Sequence, residues 1–76
     1  MLTEMAMLME VEGPSPGKRF FLEQAERTIG RDESCDLVIP ERQVSRQHAR
    51  IRHESGRHIL EDLGSKNGTF VNGSEV

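Results

Sequence analysis

Turn-forming residues interrupt this chain so often that no window longer than about ten residues keeps a helical period. Gly13-Pro14-Ser15-Pro16-Gly17, Gly30, Pro40, Gly56, Gly64, Gly68 and Gly73 are spread along its 76 residues. Short strands joined by turns are what such a chain can form. Met5, Met7, Met9 and Val11 alternate with Ala6, Leu8, Glu10 and Glu12, a period of two that ends at Gly13-Pro14. Further strands are expected at 18–22, 27–30 and 36–39, the last stopped by Pro40. Only residues 1–9 hold Met and Leu in a run that would also suit a helix.

One hairpin can be placed in register. Ser55-Gly56 lies between two strand-like runs, 48–53 and 57–63, with glycine where positive φ is needed. Pairing Glu54 with Arg57 sets His53 opposite His58, Arg52 opposite Ile59, Ile51 opposite Leu60, Arg50 opposite Glu61 and Ala49 opposite Asp62. One face then holds His53/His58, Ile51/Leu60 and Ala49/Asp62. The other holds two opposite-charge pairs, Glu54/Arg57 and Arg50/Glu61. A slip of one residue would destroy both pairs and mix the faces. Ile59 on the charged face is the misfit. The pattern predicts an antiparallel sheet with one wet face, as in a β-sandwich.

A chain of 8.6 kDa is at most one small domain, burying only about 60% of the surface its unfolded form exposes. Aromatics are 4% of the residues, all phenylalanine (Phe20, Phe21, Phe70), so the core is too thin for a large enclosed substrate cavity. The lone Cys35 excludes an internal disulfide framework and points to a reducing compartment. No apolar run approaches the roughly 20 residues that span a bilayer. The apolar stretch around Met5–Met9 lacks the length and basic flank of a secretory signal. The expectation is a soluble, intracellular protein, cytoplasmic and without membrane partners.

Charge is distributed unevenly. The net charge of −3 lies within residues 1–26, whereas residues 27–76 balance eight cations against eight anions. Five arginines (Arg42, Arg46, Arg50, Arg52, Arg57) and a single acid, Glu54, fall within 42–58. Net acidity argues against nonspecific nucleic-acid binding. A run of this kind is either a solvated strand face or a local anion site, for which arginine supplies the planar bidentate fork.

Three catalytic or ligand-binding chemistries fail on spacing. His48 and His53 fall on opposite faces of one strand, and His53 with His58 supplies only two ligands, so no closed metal site is expected. Ser45, His48 and Asp62 are the residue types of a hydrolase triad, but no nucleophile elbow surrounds Ser45. The segment 64–69 lacks the order of a phosphate-binding P-loop and no helix follows it. Asn67-Gly68-Thr69 and Asn72-Gly73-Ser74 match glycosylation acceptors, which mean nothing without secretion. Neither an enzyme nor a cofactor is expected.

Four loop motifs remain, and they occur in order: Thr28-Ile29-Gly30-Arg31, Val44-Ser45-Arg46-Gln47-His48-Ala49, Asp62-Leu63-Gly64-Ser65-Lys66-Asn67-Gly68-Thr69 and Val71-Asn72-Gly73. In this combination the chain resembles the forkhead-associated (FHA) domain, a β-sandwich module that recognises phosphothreonine in partner proteins. The chemistry of the residues suits that ligand, which brings about −1.5 to −2 charges and three acceptor oxygens. The resemblance implies that Arg31 and Ser45 contact phosphate, Ser45 through its hydroxyl and its backbone N–H. It implies that Asn67 grips the peptide backbone, and that Arg46 contacts backbone or phosphate. Ser65 and Lys66 stand in the loop that supplies a further phosphate contact, with Lys66 where relatives often carry Thr or Ser. His48 is implied to brace the Ser45 loop, with Gly30, Gly64, Gly68, Thr69, Asn72 and Gly73 supporting the site. Arg42 lies on the rim, placed to read residues after the phosphothreonine.

The resemblance covers residues 6–76, with residues 1–5 expected as a flexible N-terminal segment. Family members continue past the Asn-Gly turn into closing strands, so a C-terminally incomplete sandwich is expected. Its open edge would invite strand exchange or edge pairing between copies. The alternative to a signalling module is therefore a phosphate-independent assembly or oligomerisation domain.

Overall fold

Apolar residues at alternate positions dictate two small layers. The structure is a computed structural model that describes residues 6–22 and 26–76. Among the described residues there are eight strands: β1 (Ala6–Met9), β2 (Arg19–Leu22), β3 (Arg27–Gly30), β4 (Leu37–Val38), β5 (Ala49–Glu54), β6 (Arg57–Asp62), β7 (Phe70–Val71) and β8 (Ser74–Glu75). No helix occurs among the described residues. Ala6–Met9, within the run that suited a helix, is strand; the expected flexible segment 1–5 lies outside the described residues.

The β1–β2 hairpin forms one sheet, with Ala6 opposite Leu22 and Leu8 opposite Phe20. Its connection is closed by Glu10 N–H donating to the Lys18 carbonyl at 2.9 Å and Gly17 N–H to the Glu10 carbonyl at 2.7 Å. Across from it lies a four-stranded sheet in the order β4-β3-β5-β6. Leu22, Leu37 and Ile51 are buried where the two layers meet, with Ala6, Phe20, Ile29 and Leu60 packed around them. This is a β-sandwich with a small core: only Leu22, Cys35, Leu37, Ala49 and Ile51 are buried hydrophobics among the described residues. A cleft of about 300 Å³ remains open between the layers, walled by Leu8, Phe20, Ile29, Leu37 and Ile39.

The β5–β6 hairpin has the register that charge and apolar alternation predict, from Ala49↔Asp62 to Glu54↔Arg57. Ser55 and Gly56 both take positive φ, 49° and 76°, the pair of values that lets a two-residue turn follow the strand twist. Inward-facing Ala49 and Ile51 are buried. Outside, Arg50 Nη2 donates to Glu61 at 2.6 Å, and Arg52 Nε reaches the other oxygen of the same carboxylate. Glu54 departs from the expected cross-strand pairing. Its carboxylate accepts from Arg52 Nη1 at 2.6 Å, two residues back on the same face.

One pairing departs from a purely antiparallel plan. β4 runs parallel to β3, with Ile29 opposite Leu37 and Gly30 opposite Val38. A six-residue return manages this because only two residues pair on each strand. Asp36 secures the return: its carboxylate accepts from Thr28 N–H at 2.9 Å and Thr28 hydroxyl at 3.1 Å. Those bonds, with the Arg27 charge behind them, hold the Asp36 carboxyl below its usual range.

Candidate functional site

Strand order decides which loops meet. Because β3 and β6 each run antiparallel to β5, the C-terminal ends of β3 and β6 lie beside the N-terminal end of β5. Parallel β4 adds its own C-terminal end to the same edge. Segments 31–36, 39–48 and 63–69 therefore gather at one end of the sandwich. They carry every site residue the sequence singles out except Gly30, at the end of β3, and the turn residues Asn72 and Gly73.

The first two segments are laced through their backbones. Arg31 N–H donates to the Ser45 carbonyl at 3.0 Å and Asp32 N–H to the Arg46 carbonyl at 3.2 Å. The approach is so close that a Cβ on Gly30 would overlap the Arg46 carbonyl oxygen and crowd Cys35 Sγ. Space, rather than positive φ, explains glycine at position 30, whereas Gly64 and Gly68 do take positive φ of 74° and 85°. Buried Cys35 donates its thiol to the same Arg46 carbonyl at 3.1 Å. Gln47 Nε2 reaches Ser34 Oγ at 3.1 Å, completing the lacing.

Arg31 is exposed at the end of β3, with Nε donating to the Val44 carbonyl at 3.0 Å. Its terminal nitrogens take no ion pair with Asp32 or Asp36 in the structure. Those acids turn elsewhere: Asp32 to Ser34 N–H at 3.0 Å and to the Ser34 hydroxyl, Asp36 to Thr28. The Ser34 bonds lower the Asp32 pKa, and the nearby Arg46 and Arg31 charges add to the effect. The outer half of the Arg31 guanidinium is thus left facing solvent.

Ser45 is held from three sides. Its carbonyl accepts from Arg31 N–H, its own N–H donates to His48 Nδ1 at 3.0 Å, and its Oγ accepts from Lys66 N–H at 3.0 Å. An amide donating to Nδ1 requires that nitrogen unprotonated, so the second ring nitrogen carries the proton. His48 Nε2–H then donates to the Gly68 carbonyl at 2.9 Å. The Ser45 backbone N–H, expected to serve a ligand, is spent on His48. The Ser45 hydroxyl accepts from Lys66 and keeps its own proton for a further acceptor.

Asn67 Nδ2 donates to the Gln43 carbonyl at 2.8 Å, tying 63–69 to the Ser45 segment and leaving the amide oxygen outward. Ser65 faces inward instead: its hydroxyl donates to Asp62 at 2.5 Å and accepts Gly68 N–H at 3.0 Å. Arg42, Arg46 and Lys66 are exposed around the group. Asn72 and Gly73 make the β7–β8 turn with φ of 51° and 82°. Thr69 hydroxyl donates to Asp62 at 2.7 Å, and its carbonyl accepts Val76 N–H at 2.9 Å. Asp62 heads the third motif, but sequence reasoning assigned it no part in supporting the site. Its signal was an aspartate followed by glycine two and serine three positions later, a spacing that favours side-chain to backbone bonds in a turn.

A sandwich that concentrates polar side chains on loops at one end, over a small apolar core, defines a surface recognition module. The chain belongs to the FHA domain family, whose profile matches residues 27–76. Glycogen accumulation regulator GarA of Mycolicibacterium smegmatis is 41% identical over 71 residues, covering 93% of this chain and 45% of that protein. The oxoglutarate dehydrogenase inhibitor of Corynebacterium glutamicum is 42% identical over 67 residues, covering 88% and 47%. The chain thus spans about half the length of these curated relatives. Among solved structures, one from a study of phosphothreonine-dependent FHA domain interactions superposes with a TM-score of 0.84 at 34% identity, covering 97% of this chain and 74% of that one. Mycobacterium tuberculosis EmbR in complex with a low-affinity phosphopeptide superposes with a TM-score of 0.74 at 33% identity, covering 79% and 16%.

Proposed function

We propose that residues 6–76 form a phosphothreonine-dependent interaction module, acting without catalysis in cytoplasmic signalling. One observation carries this reading. The Arg31 guanidinium end and the Ser45 hydroxyl proton stand uncommitted on adjoining segments, with the Asn67 amide oxygen beside them. Phosphate would take the first two as charge-assisted donors, each contributing on the order of 1.5–3 kcal/mol. The Asn67 oxygen suits a backbone N–H of an extended peptide. Arg46 and Lys66 add positive charge at the rim and act as secondary contacts. Solved FHA relatives include a phosphopeptide complex, which supports the choice of ligand.

A phosphothreonine peptide library titrated against its unphosphorylated twin tests the reading. Selective binding of phosphorylated members is expected, and equal binding or none would falsify it. Arg31→Ala should reduce affinity at least about a hundredfold, the loss of a bidentate charged contact, with unchanged circular dichroism. A second reading, assembly between copies, is favoured by the apolar face that exposed Met7, Met9 and Phe21 form on the β1–β2 hairpin. Mass measured by light scattering across a concentration series separates the two: a strict monomer that binds phosphopeptide removes the second.

A further inference from the structure

Asp62 ends β6 opposite Ala49 and turns its half-buried carboxylate into the loop that follows. Oδ2 accepts Gly64 N–H and Ser65 N–H, both at 2.9 Å. Oδ1 accepts the Ser65 hydroxyl at 2.5 Å and the Thr69 hydroxyl at 2.7 Å. A single side chain thereby satisfies donors at both ends of the segment 64–69. Ser65 Oγ passes the constraint on by accepting Gly68 N–H at 3.0 Å. The three groups that join this segment to the rest of the site all lie inside the span so closed: Lys66 N–H, Asn67 Nδ2 and the Gly68 carbonyl. Their partners are Ser45 Oγ, the Gln43 carbonyl and His48 Nε2.

We propose that Asp62 is the positioning residue of the recognition site, its carboxylate folding 64–69 so that Lys66, Asn67 and Gly68 hold Ser45 in its ligand-ready orientation. Ser65 belongs to this internal frame and makes no contact with phosphate. The inference rests on the phosphothreonine reading and assigns its division of labour: Arg31 and Ser45 meet the ligand, and Asp62 acts through the loop. The carboxylate is suited to the task because an ionised Asp accepts at both oxygens and offers no donor to compete. Its pKa is lowered from the usual 3.8 to about 2, first by the Ser65 and Thr69 hydroxyls and then by the Ser65 and Gly64 amides. It therefore stays ionised throughout the neutral range.

The test combines peptide affinity with amide exchange in the full chain, using the tightest phosphothreonine peptide from the library above. Asp62→Ala should weaken binding about tenfold or more, the scale of a lost charged acceptor. Lys66 and Gly68 amides should exchange faster while those of β5 and β6 keep their protection. Asp62→Asn should recover most of the affinity, since its oxygen can still accept both amides while the hydroxyls rotate to accept from its nitrogen. Ser65→Ala should stay within about threefold of wild type, because three donors to Asp62 persist. Wild-type affinity in a folded Asp62→Ala chain overturns the proposal, as does a Ser65→Ala loss matching that of Arg31→Ala. If Asp62→Ala does not fold, Thr69→Val carries the test, since it cuts the Asp62 bond at the far end of the segment, which Ser65→Ala leaves in place: faster Lys66 and Gly68 exchange with weaker binding supports the proposal, and no change in either overturns it. Equal binding of phosphorylated and plain peptide by wild type would defeat the phosphothreonine reading separately, without altering what the exchange rates report.

Discussion

The two ends of this molecule are held by different forces. At the recognition end the order comes from hydrogen bonds: Asp62 closes the segment 64–69 on itself, while His48 and Asn67 bridge separate segments. At the β1–β2 hairpin the side chains act by apolar contact instead, with Leu22, Ala6 and Phe20 packed on the core. Leu22 is buried, but Met7, Met9, Val11 and Phe21 stay exposed, and the cleft beside Leu8 and Phe20 is open. Apolar packing is tolerant of sliding and repacking, whereas hydrogen bonds demand particular distances and angles. A site that must present donors to a phosphate gains from the second kind of order, and a layer that only covers a core can do with the first.

The contrast can be broken from the core outward. Ile51 is 5% exposed and lies between the layers, so Ile51→Ala should cost about 2–5 kcal/mol. A chain of 76 residues is stable by roughly 4–11 kcal/mol, so the loss is a large share of the whole and the urea midpoint should fall in proportion. Retention of full stability would mean that the layers do not pack as described. Gly30→Ala ranks next. Its Cβ would press on the Arg46 carbonyl, costing about 1–3 kcal/mol by overpacking and shifting Ser45 as well, so affinity and melting temperature should fall together.

Acid should act on the recognition end before the core. Asp62 has a folded pKa below its unfolded one, so its contribution to stability is present above about pH 4 and is lost as pH falls toward about 2. Asp32, Asp36 and Glu61 shift in the same direction, through Ser34, Thr28 and Arg50 with Arg52 respectively. Denaturation of the free chain followed against pH should decline over that window, and Asp62→Asn should flatten the decline. An unchanged slope would remove Asp62 from the account. The smallest effect belongs to the exposed side of the hairpin: Phe21→Ser, at 57% exposure, should move stability by no more than about 0.5 kcal/mol. A larger loss would show that this face is covered.

Local rules account for much of what the sequence revealed. Alternation and the Ser55-Gly56 turn set the β5–β6 register residue by residue, because a slip would exchange faces and separate Arg50 from Glu61. Motif order was enough to identify the family and its loops. Two features of the strands were not legible. Glu54 chose Arg52 over Arg57, a competition between neighbours on one face that spacing does not rank. The parallel β3–β4 pair is secured by Asp36, in the return, reaching back to Thr28 in β3.

The sequence by itself determined the strands, their turns and the residue types available to a phosphate, since these follow from period, φ preference and side-chain chemistry over a few neighbouring positions. Only the tertiary structure decided which of those side chains are left to bind. Ser45, Ser65 and Asn67 are all polar loop residues in the sequence. In the fold, Ser65 is consumed by Asp62 and Gly68, while Ser45 keeps its proton and Asn67 its oxygen. The physical reason is that Ser65 is tied by residues three positions away in its own turn, whereas Ser45 and Asn67 are oriented by partners brought to them across the sheet edge. Those partners are set by strand order, which no local pattern contains.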